Sequence, residues 1–374
     1  AIDGKLPRCN KPHHTHSDMT PHKRIGILTS GGDCAGLNAA IRAVVHRAID
    51  TYNWEPIGIF RATQGLMERP IGAVKLTIPL VDRLLVMGGT YLGTTNKGNP
   101  FAFPMENGEL LDRSPEIIEG YHQLGLDALV GIGGDGSLAI LRKIAQQGRI
   151  NFVAIPKTID NDVGVTEHSI GFDTAVNIAT EALDRLHFTA ASHSRAMILE
   201  VMGRDAGHIA ISAGIAGGAD VILIPEIPYT IANLCERIRL RQIEGKNYSL
   251  IIVSEAVKTE CGEIVQVDTN RYGGIGHYLA TKIASASGAQ TRVTTLGHIQ
   301  RGGMPSPLDR LIASAFGVAA VDLIAEGKFD RMVAWQRREV ISVPIEEAIS
   351  LYCAVDPQST LVKTARGLGI YLGD

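Results

Sequence analysis

Short apolar runs, each closed by a glycine-rich turn and followed by a helical pattern, recur along this chain. Residues 25–29 are apolar, GGDCAGLN comes next, and a helical pattern covers 39–49. The same order returns at 128–132, GGDGS and 138–146. Further apolar runs stand at 153–155, 196–201 and 249–254, with helical segments at 174–186 and 231–242 between them. Alternation of this kind predicts parallel sheets with helices on both faces. In such folds ligands sit beyond the carboxyl ends of the strands, at helix N-termini, which is where both glycine blocks fall. No segment repeats at a fixed period, so a repeat architecture is not expected.

The chain has 374 residues, 45% hydrophobic and 20% charged, enough for more than one core and typical of a soluble enzyme. Its length, and the wide gap between the glycine blocks and a later arginine-rich block, predict two Rossmann-like α/β lobes with parallel sheets and an active-site cleft between them. A formal net charge of −3 argues against nucleic-acid binding but leaves room for a local basic pocket. Cys9, Cys34, Cys235, Cys261 and Cys353 form no CxxC pair, so neither a zinc site nor a disulfide framework is expected, and a reducing cytoplasm fits. There is no apolar run of membrane-spanning length and no signal-like start, so we expect no membrane partner. Residues 1–23 are polar, contain His13, His14, His16 and His22, and read as an extension broken by prolines.

Three blocks carry the chemistry. Gly31-Gly32-Asp33-Cys34-Ala35-Gly36 joins a strand to a helix, where absent side chains let backbone amides approach an anion; a tight turn alone would also use glycine here. Gly133-Gly134-Asp135-Gly136-Ser137 repeats the arrangement and adds Asp135, a residue able to hold Mg²⁺ or to cap the helix. PKTIDND, residues 156–162, then places Asp160 to accept a hydroxyl proton, Thr158 to bond the acceptor, Asp162 to serve a metal or orient its neighbours, and the cation Lys157. Together they indicate phosphoryl transfer to an alcohol. Further along stand Arg195, Met202-Gly203-Arg204, Glu255, Arg292, His298 and Arg301, in glycine-punctuated loops. Guanidinium forks of this number suit a sugar phosphate, and Glu255 suits sugar hydroxyls.

Taken in order, GGDCAGLNAAIR, GGTYLGTT, GGDGS, PKTIDND, GFDTA, EVMGRDAG, SEA and LGHIQRGG resemble the 6-phosphofructokinase family from about Lys23 onward. The closing VDPQSTLVKTARGLGIYLGD looks like its longer bacterial branch, which has nucleotide-dependent and pyrophosphate-dependent members. The resemblance implies Mg²⁺-dependent phosphorylation of the 1-hydroxyl of fructose 6-phosphate, a step of glycolysis. It implies Asp160 as proton acceptor, Asp135 as the metal residue, and Gly32, Gly134, Gly136 and Ser137 as donor-phosphate contacts. Thr158, Asp162, Met202, Gly203, Arg204, Glu255, His298 and Arg301 fall to the sugar-phosphate site, with Arg204 also near the transferred phosphoryl. Arg195 and Arg292 match arginines that reach a neighbouring subunit's site, so a cytoplasmic, allosteric homo-oligomer, dimer or tetramer, is expected. We assign residues 24–171 plus about 300–345 to a donor-binding lobe, and 172–299 plus the C-terminal segment to a sugar-phosphate lobe.

Three features depart from the shorter bacterial enzymes. An arginine that bridges the donor phosphates is replaced by Asn96, with Lys97 beside it as substitute. Lys157 stands where those enzymes have glycine, as in pyrophosphate-using relatives, whereas Gly136 is the nucleotide-type residue because an aspartate there would repel an α-phosphate. ATP is therefore the leading donor, with ADP and pyrophosphate open. His46 and His187 replace effector-binding arginines while Arg42 is retained, so nucleotide activation need not transfer. Two other readings stay in view: a GGDG kinase acting on a dinucleotide or lipid, and a silent sugar-phosphate-binding regulatory subunit.

Overall fold

The computed structural model describes residues 22–96, 98–268 and 271–374; Lys97 and the histidines His13, His14 and His16 lie outside them. Among the described residues eleven strands build two main sheets. They are β1 (Arg24–Thr29), β2 (Glu55–Ile59), β3 (Ala73–Lys75), β4 (Ala128–Gly133), β5 (Phe152–Pro156), β6 (Ala196–Val201), β7 (Val221–Leu223), β8 (Ser249–Ser254), β9 (Thr291–Thr295), β10 (Arg331–Gln336) and β11 (Glu339–Pro344). The larger sheet runs β11-β10-β5-β4-β1-β2-β3 and the smaller β9-β6-β8-β7. In the larger sheet only the edge strands β3 and β11 pair antiparallel, and the smaller sheet is wholly parallel. Two parallel α/β sheets were the expectation, and the structure has them.

The strands that the apolar runs predict are buried on both faces, although the short, fully buried β7 and the mostly buried β2 are not among them. Every residue of β4, β5, β6 and β8 is buried, as a parallel sheet covered by helices requires. The runs carried no such signal for β9, TRVTT, which is an edge strand without a single buried residue, or for β10 and β11, which are only partly buried.

Helix α1 (Leu37–His46) comes directly after the first glycine loop, and a π-helical turn at Arg47–Thr51 extends it beyond the predicted 39–49 segment. Gly36, its N-cap, has φ 107, and a Cβ there would stand 2.6 Å from Ile170 Cγ2, so both conformation and space demand glycine. Helices α2 (Asp135–Gly148), α3 (Phe172–His193) and α5 (Ile231–Ile243) take the other predicted segments, and α4 (His208–Ala216) and α6 (Pro307–Ala325) lie between and after them. Helix α6 packs closely on α1 at Gly317, where a Cβ would lie 2.7 Å from that of Ala43.

Strand β1 has β2 on one side and β4 on the other, so the strand order reverses between β1 and β4. The crevice at the carboxyl ends of these two strands holds both glycine loops, the place where doubly wound sheets bind ligands. Past β5 the chain is pinned by Asp309, which sits in the first turn of α6 and is buried. Its carboxylate accepts from Gly171 N at 2.9 Å, Thr174 N at 2.8 Å and Thr174 Oγ1 at 2.5 Å, capping α3 from another helix. Among the described residues no helix is long and apolar enough to cross a membrane.

Asp309→Ala leaves two backbone N–H groups and a hydroxyl buried without an acceptor. A loss of about 3 kcal/mol of unfolding free energy is expected, measured by urea denaturation.

Candidate active site

The floor of the site is the segment after β5. Lys157 N donates to Gly133 O at 2.9 Å, and Lys157 Nζ donates to Gly32 O, so one residue ties together both glycine loops. Lys157 is 3% exposed, and burial pulls its ammonium below the ordinary lysine range. Ser137 fills the space under Gly31, whose φ is 85 and where a Cβ would meet Ser137 Oγ at 2.7 Å. Gly134 is the N-cap of α2, and Asp135 opens the helix with its side chain 42% exposed. A Cβ on Gly136 would meet nothing within 4 Å. Asn96 is exposed and adjoins Thr95, whose carbonyl accepts from Gly31 N at 3.0 Å, so it stands beside the first loop.

Asp160 is 6% exposed. Thr158 Oγ1 donates to its Oδ2 at 3.3 Å and accepts from Asp160 N at 3.1 Å, while Oδ1 is buried with no hydrogen-bond partner among the described residues. Burial pushes this carboxyl above the ordinary aspartate range, against the pull of Arg301, Arg204, Thr158 and Lys157. Asp162 is likewise raised, to about 6, by burial and then by the charges of Asp160 and Asp135.

The second sheet supplies the opposite wall from the carboxyl ends of three adjacent strands. After β6 come Met202, Gly203 and Arg204, after β8 Glu255, and after β9 a 3₁₀ turn at Gly297–Arg301. Gly203 has φ 154, and a Cβ there would lie 2.5 Å from Ala206 O. Arg204 N donates to Glu255 Oε1 at 3.2 Å, and Arg204 Nη1 stands 3.9 Å from Asp135 Oδ1 across the cleft. Glu255 is raised to about 7, mainly by burial, so near neutrality it can donate as well as accept.

Arg301 reaches furthest. Its Nη1 donates to Asp33 O at 3.1 Å and would lie 2.8 Å from a Cβ on Gly32. Its guanidinium thus rests on the first glycine loop and acts on both Asp160 and Lys157. The motif assigns it to the sugar phosphate; in the structure it also joins the two walls. His298 is exposed in the same turn.

Arg195 and Arg292 are not brought to this cleft within one chain. Arg195 precedes β6, with Nε donating to Gln290 Oε1 at 3.3 Å, and Arg292 is the second residue of β9, with Nη1 donating to Thr291 O at 2.8 Å. Both lie at the amino ends of these strands, about a strand length from the site. Gln300 is a residue the motif contained without a role. It is 1% exposed, and its Oε1 accepts from Met202 N at 2.7 Å, fixing the loop that bears Arg204. Residues 351–355, which cross between the walls, carried no sequence signal for that position.

These features define an α/β protein of two parallel sheets whose glycine-rich and arginine-bearing loops meet at one cleft. A phosphofructokinase profile matches residues 24–324, and the chain belongs to the phosphofructokinase family. It is 72% identical to the ATP-dependent 6-phosphofructokinase 1 of Synechocystis sp. over 94% of this chain and 99% of the relative. It is 46% identical to the ATP-dependent 6-phosphofructokinase of Chloroflexus aggregans over 94% of this chain and 98% of that one. The crystal structure of Pichia pastoris phosphofructokinase in the T-state matches with a TM-score of 0.76 at 29% identity, covering 93% of this chain and 39% of the Pichia chain. The pyrophosphate-dependent phosphofructokinase of Marinobacter aquaeolei shares the fold, with a TM-score of 0.78 at 20% identity over 94% of this chain and 92% of that one.

Between about pH 4.5 and 7 folded Glu255 keeps a proton that the unfolded chain has released, so this group favours the fold as pH falls through that interval. The gain in Tm on moving from about pH 8 to about pH 6 is therefore expected to be smaller in Glu255→Gln than in the wild type, read by differential scanning calorimetry.

Proposed function

We propose that this protein is a 6-phosphofructokinase that transfers the γ-phosphoryl of ATP to the 1-hydroxyl of fructose 6-phosphate. The observation that carries the reading is the buried Oδ1 of Asp160, without a hydrogen-bond partner among the described residues and set between the donor loops and the Arg204 loop. A carboxylate oxygen without a partner there can take the hydroxyl proton as the sugar oxygen bonds to phosphorus and the bond to the ADP oxygen breaks. Burial raises its basicity toward the working pH, and Thr158 holds the other oxygen. Arg204 and Arg301 supply fixed positive charge where charge builds on the transferred group. Glu255, with its proton half retained near neutrality, suits a sugar hydroxyl.

Open space at Gly136 supports a nucleotide donor, because an α-phosphate and the nucleoside attached to it have room there. Lys157 is committed to the Gly32 carbonyl and so braces the loops, which weakens the case for it as a free cation for pyrophosphate. The relatives' ATP dependence points the same way. Mg²⁺ fits the hard carboxylate of Asp135, exposed at the mouth of the donor loops with Asp162 behind it. No group of three metal-binding side chains stands among the described residues, so most of the remaining ligands would be phosphate oxygens and water. When bound, the ion would neutralise donor-phosphate charge.

We read residues 24–171 with about 300–345 as the donor lobe and 172–299 with the C-terminal segment as the sugar lobe. The isolation of Arg195 and Arg292 from the chain's own cleft supports a homo-oligomer in which they serve a neighbouring copy. A cytoplasmic, glycolytic setting is the one these substrates imply.

The test is fructose 1,6-bisphosphate formation with ATP, ADP or pyrophosphate supplied separately with Mg²⁺. ATP is expected to give by far the highest kcat/KM; preference for pyrophosphate would reverse the donor assignment, and no product with any donor would leave a binding subunit. Asp160→Asn is expected to lower kcat at least about a hundredfold while fructose 6-phosphate still binds, measured by turnover and calorimetry.

A further inference from the structure

The loop that bears Asp160 and the loop that bears Arg204 come from different sheets, and their separation decides whether base and phosphoryl-binding cation act on one substrate. Residues 351–355 bridge them. Toward the first loop, Cys353 N donates to Asp162 O at 3.0 Å and Tyr352 pairs antiparallel with Val163. Gly164 lies so close that a Cβ on it would stand 2.4 Å from Leu351 O. Toward the second, His208 Nε2 donates to Cys353 O at 2.8 Å, which requires the proton on Nε2. Val355 N donates to Glu226 Oε1 at 2.8 Å, and the same oxygen accepts from Gly207 N at 3.0 Å. Gly207 and His208 stand three and four positions after Arg204. The peptide groups of Cys353 therefore bond both walls at once, one through N–H and one through C=O.

Little apolar burial holds this segment. Leu351 and Tyr352 are half exposed, Cys353 and Ala354 are exposed, and only Val355 is buried. Its place is set by the polar bonds at its two ends, with the His208 ring steadied edge-on against Phe172 at 6.5 Å.

We propose that residues 351–355 are a positioning strap that sets the distance between the Asp160 loop and the Arg204 loop, and that His208 is its anchor on the second wall. This rests on the phosphotransfer reading above. His208 is a positioning residue; it acts through Cys353 on the loop that carries the base.

The test compares wild type, His208→Ala and His208→Gln, the last offering an amide N–H at similar reach. His208→Ala is expected to lower kcat about tenfold with KM for fructose 6-phosphate and ATP within about threefold. It is also expected to speed hydrogen exchange of peptides covering 160–164 and 351–355, and His208→Gln to restore most of both. Unchanged kcat, a loss carried by KM, or a Gln variant as impaired as Ala would overturn the proposal. Gly164→Ala presses the strap from the other wall and should reproduce the kcat loss and faster exchange; it decides the matter if His208→Ala does not fold. If the wild type makes no product the functional reading fails, and the exchange measurement alone then decides the strap, with unchanged exchange refuting it.

Discussion

One carboxylate oxygen, Oδ1 of Asp160, is held out of water without a partner among the described residues, and the rest of the molecule is arranged to sustain it. A buried acceptor left unsatisfied costs roughly 1–3 kcal/mol, more when charged. Thr158 bonds only the other oxygen, and two arginines and a lysine lower the cost through space without closing on Oδ1. The folded chain so carries an unmet hydrogen-bonding demand in the cleft, where the proposed reading puts the substrate hydroxyl. Destabilisation of this kind persists only in a scaffold rigid enough to prevent the side chain from turning back to solvent.

That rigidity comes from two sheets whose strand ends meet at the cleft and which share one apolar core, from Ile27 and Val130 to Leu199 and Ile252. The fully buried strands β4 and β5 bring Gly133 and Pro156 to the same edge, and Lys157 locks both glycine loops from beneath. Asp309 then clamps the start of α3, so the segment between β5 and that helix is held at both ends. On the other wall Gln300 fixes Met202, and Arg301 crosses to Asp33. Lys157, Asp309 and Gln300 are buried polar groups committed to position, with half-buried Arg301 beside them, a pattern typical of sites that must hold their geometry.

The same arrangement accounts for the donor side. Sequence set two markers against each other, Gly136 favouring a nucleotide and Lys157 a shorter phosphate chain. In three dimensions they are not equivalent. Gly136 borders open space, whereas Lys157 is buried and already bonded to a backbone carbonyl. The conflict dissolves once the lysine is seen as a brace for the loops.

The sequence by itself determined the architecture and the chemical inventory. Continuous apolar strands such as 128–132 and 249–254 exist because parallel sheets bury both faces, and glycine at 36 and 203 answers a positive φ, joined at 203 by the close approach of the Ala206 carbonyl. Both causes act over a few residues, so both leave a readable pattern. The edge strands β9 and β11, and β10 beside β11, left a weaker one, since partial burial relaxes the demand for apolar residues. Only the tertiary structure decided what depends on contacts between distant segments. Arg301 meets Asp33 across 268 positions and His208 meets Cys353 across 145, and Asp309 caps a helix that begins well over a hundred residues earlier. A single hydrogen bond between remote loops imposes no periodicity and little composition on either partner, which is why Gln300 and the 351–355 crossing were silent until the chain was folded.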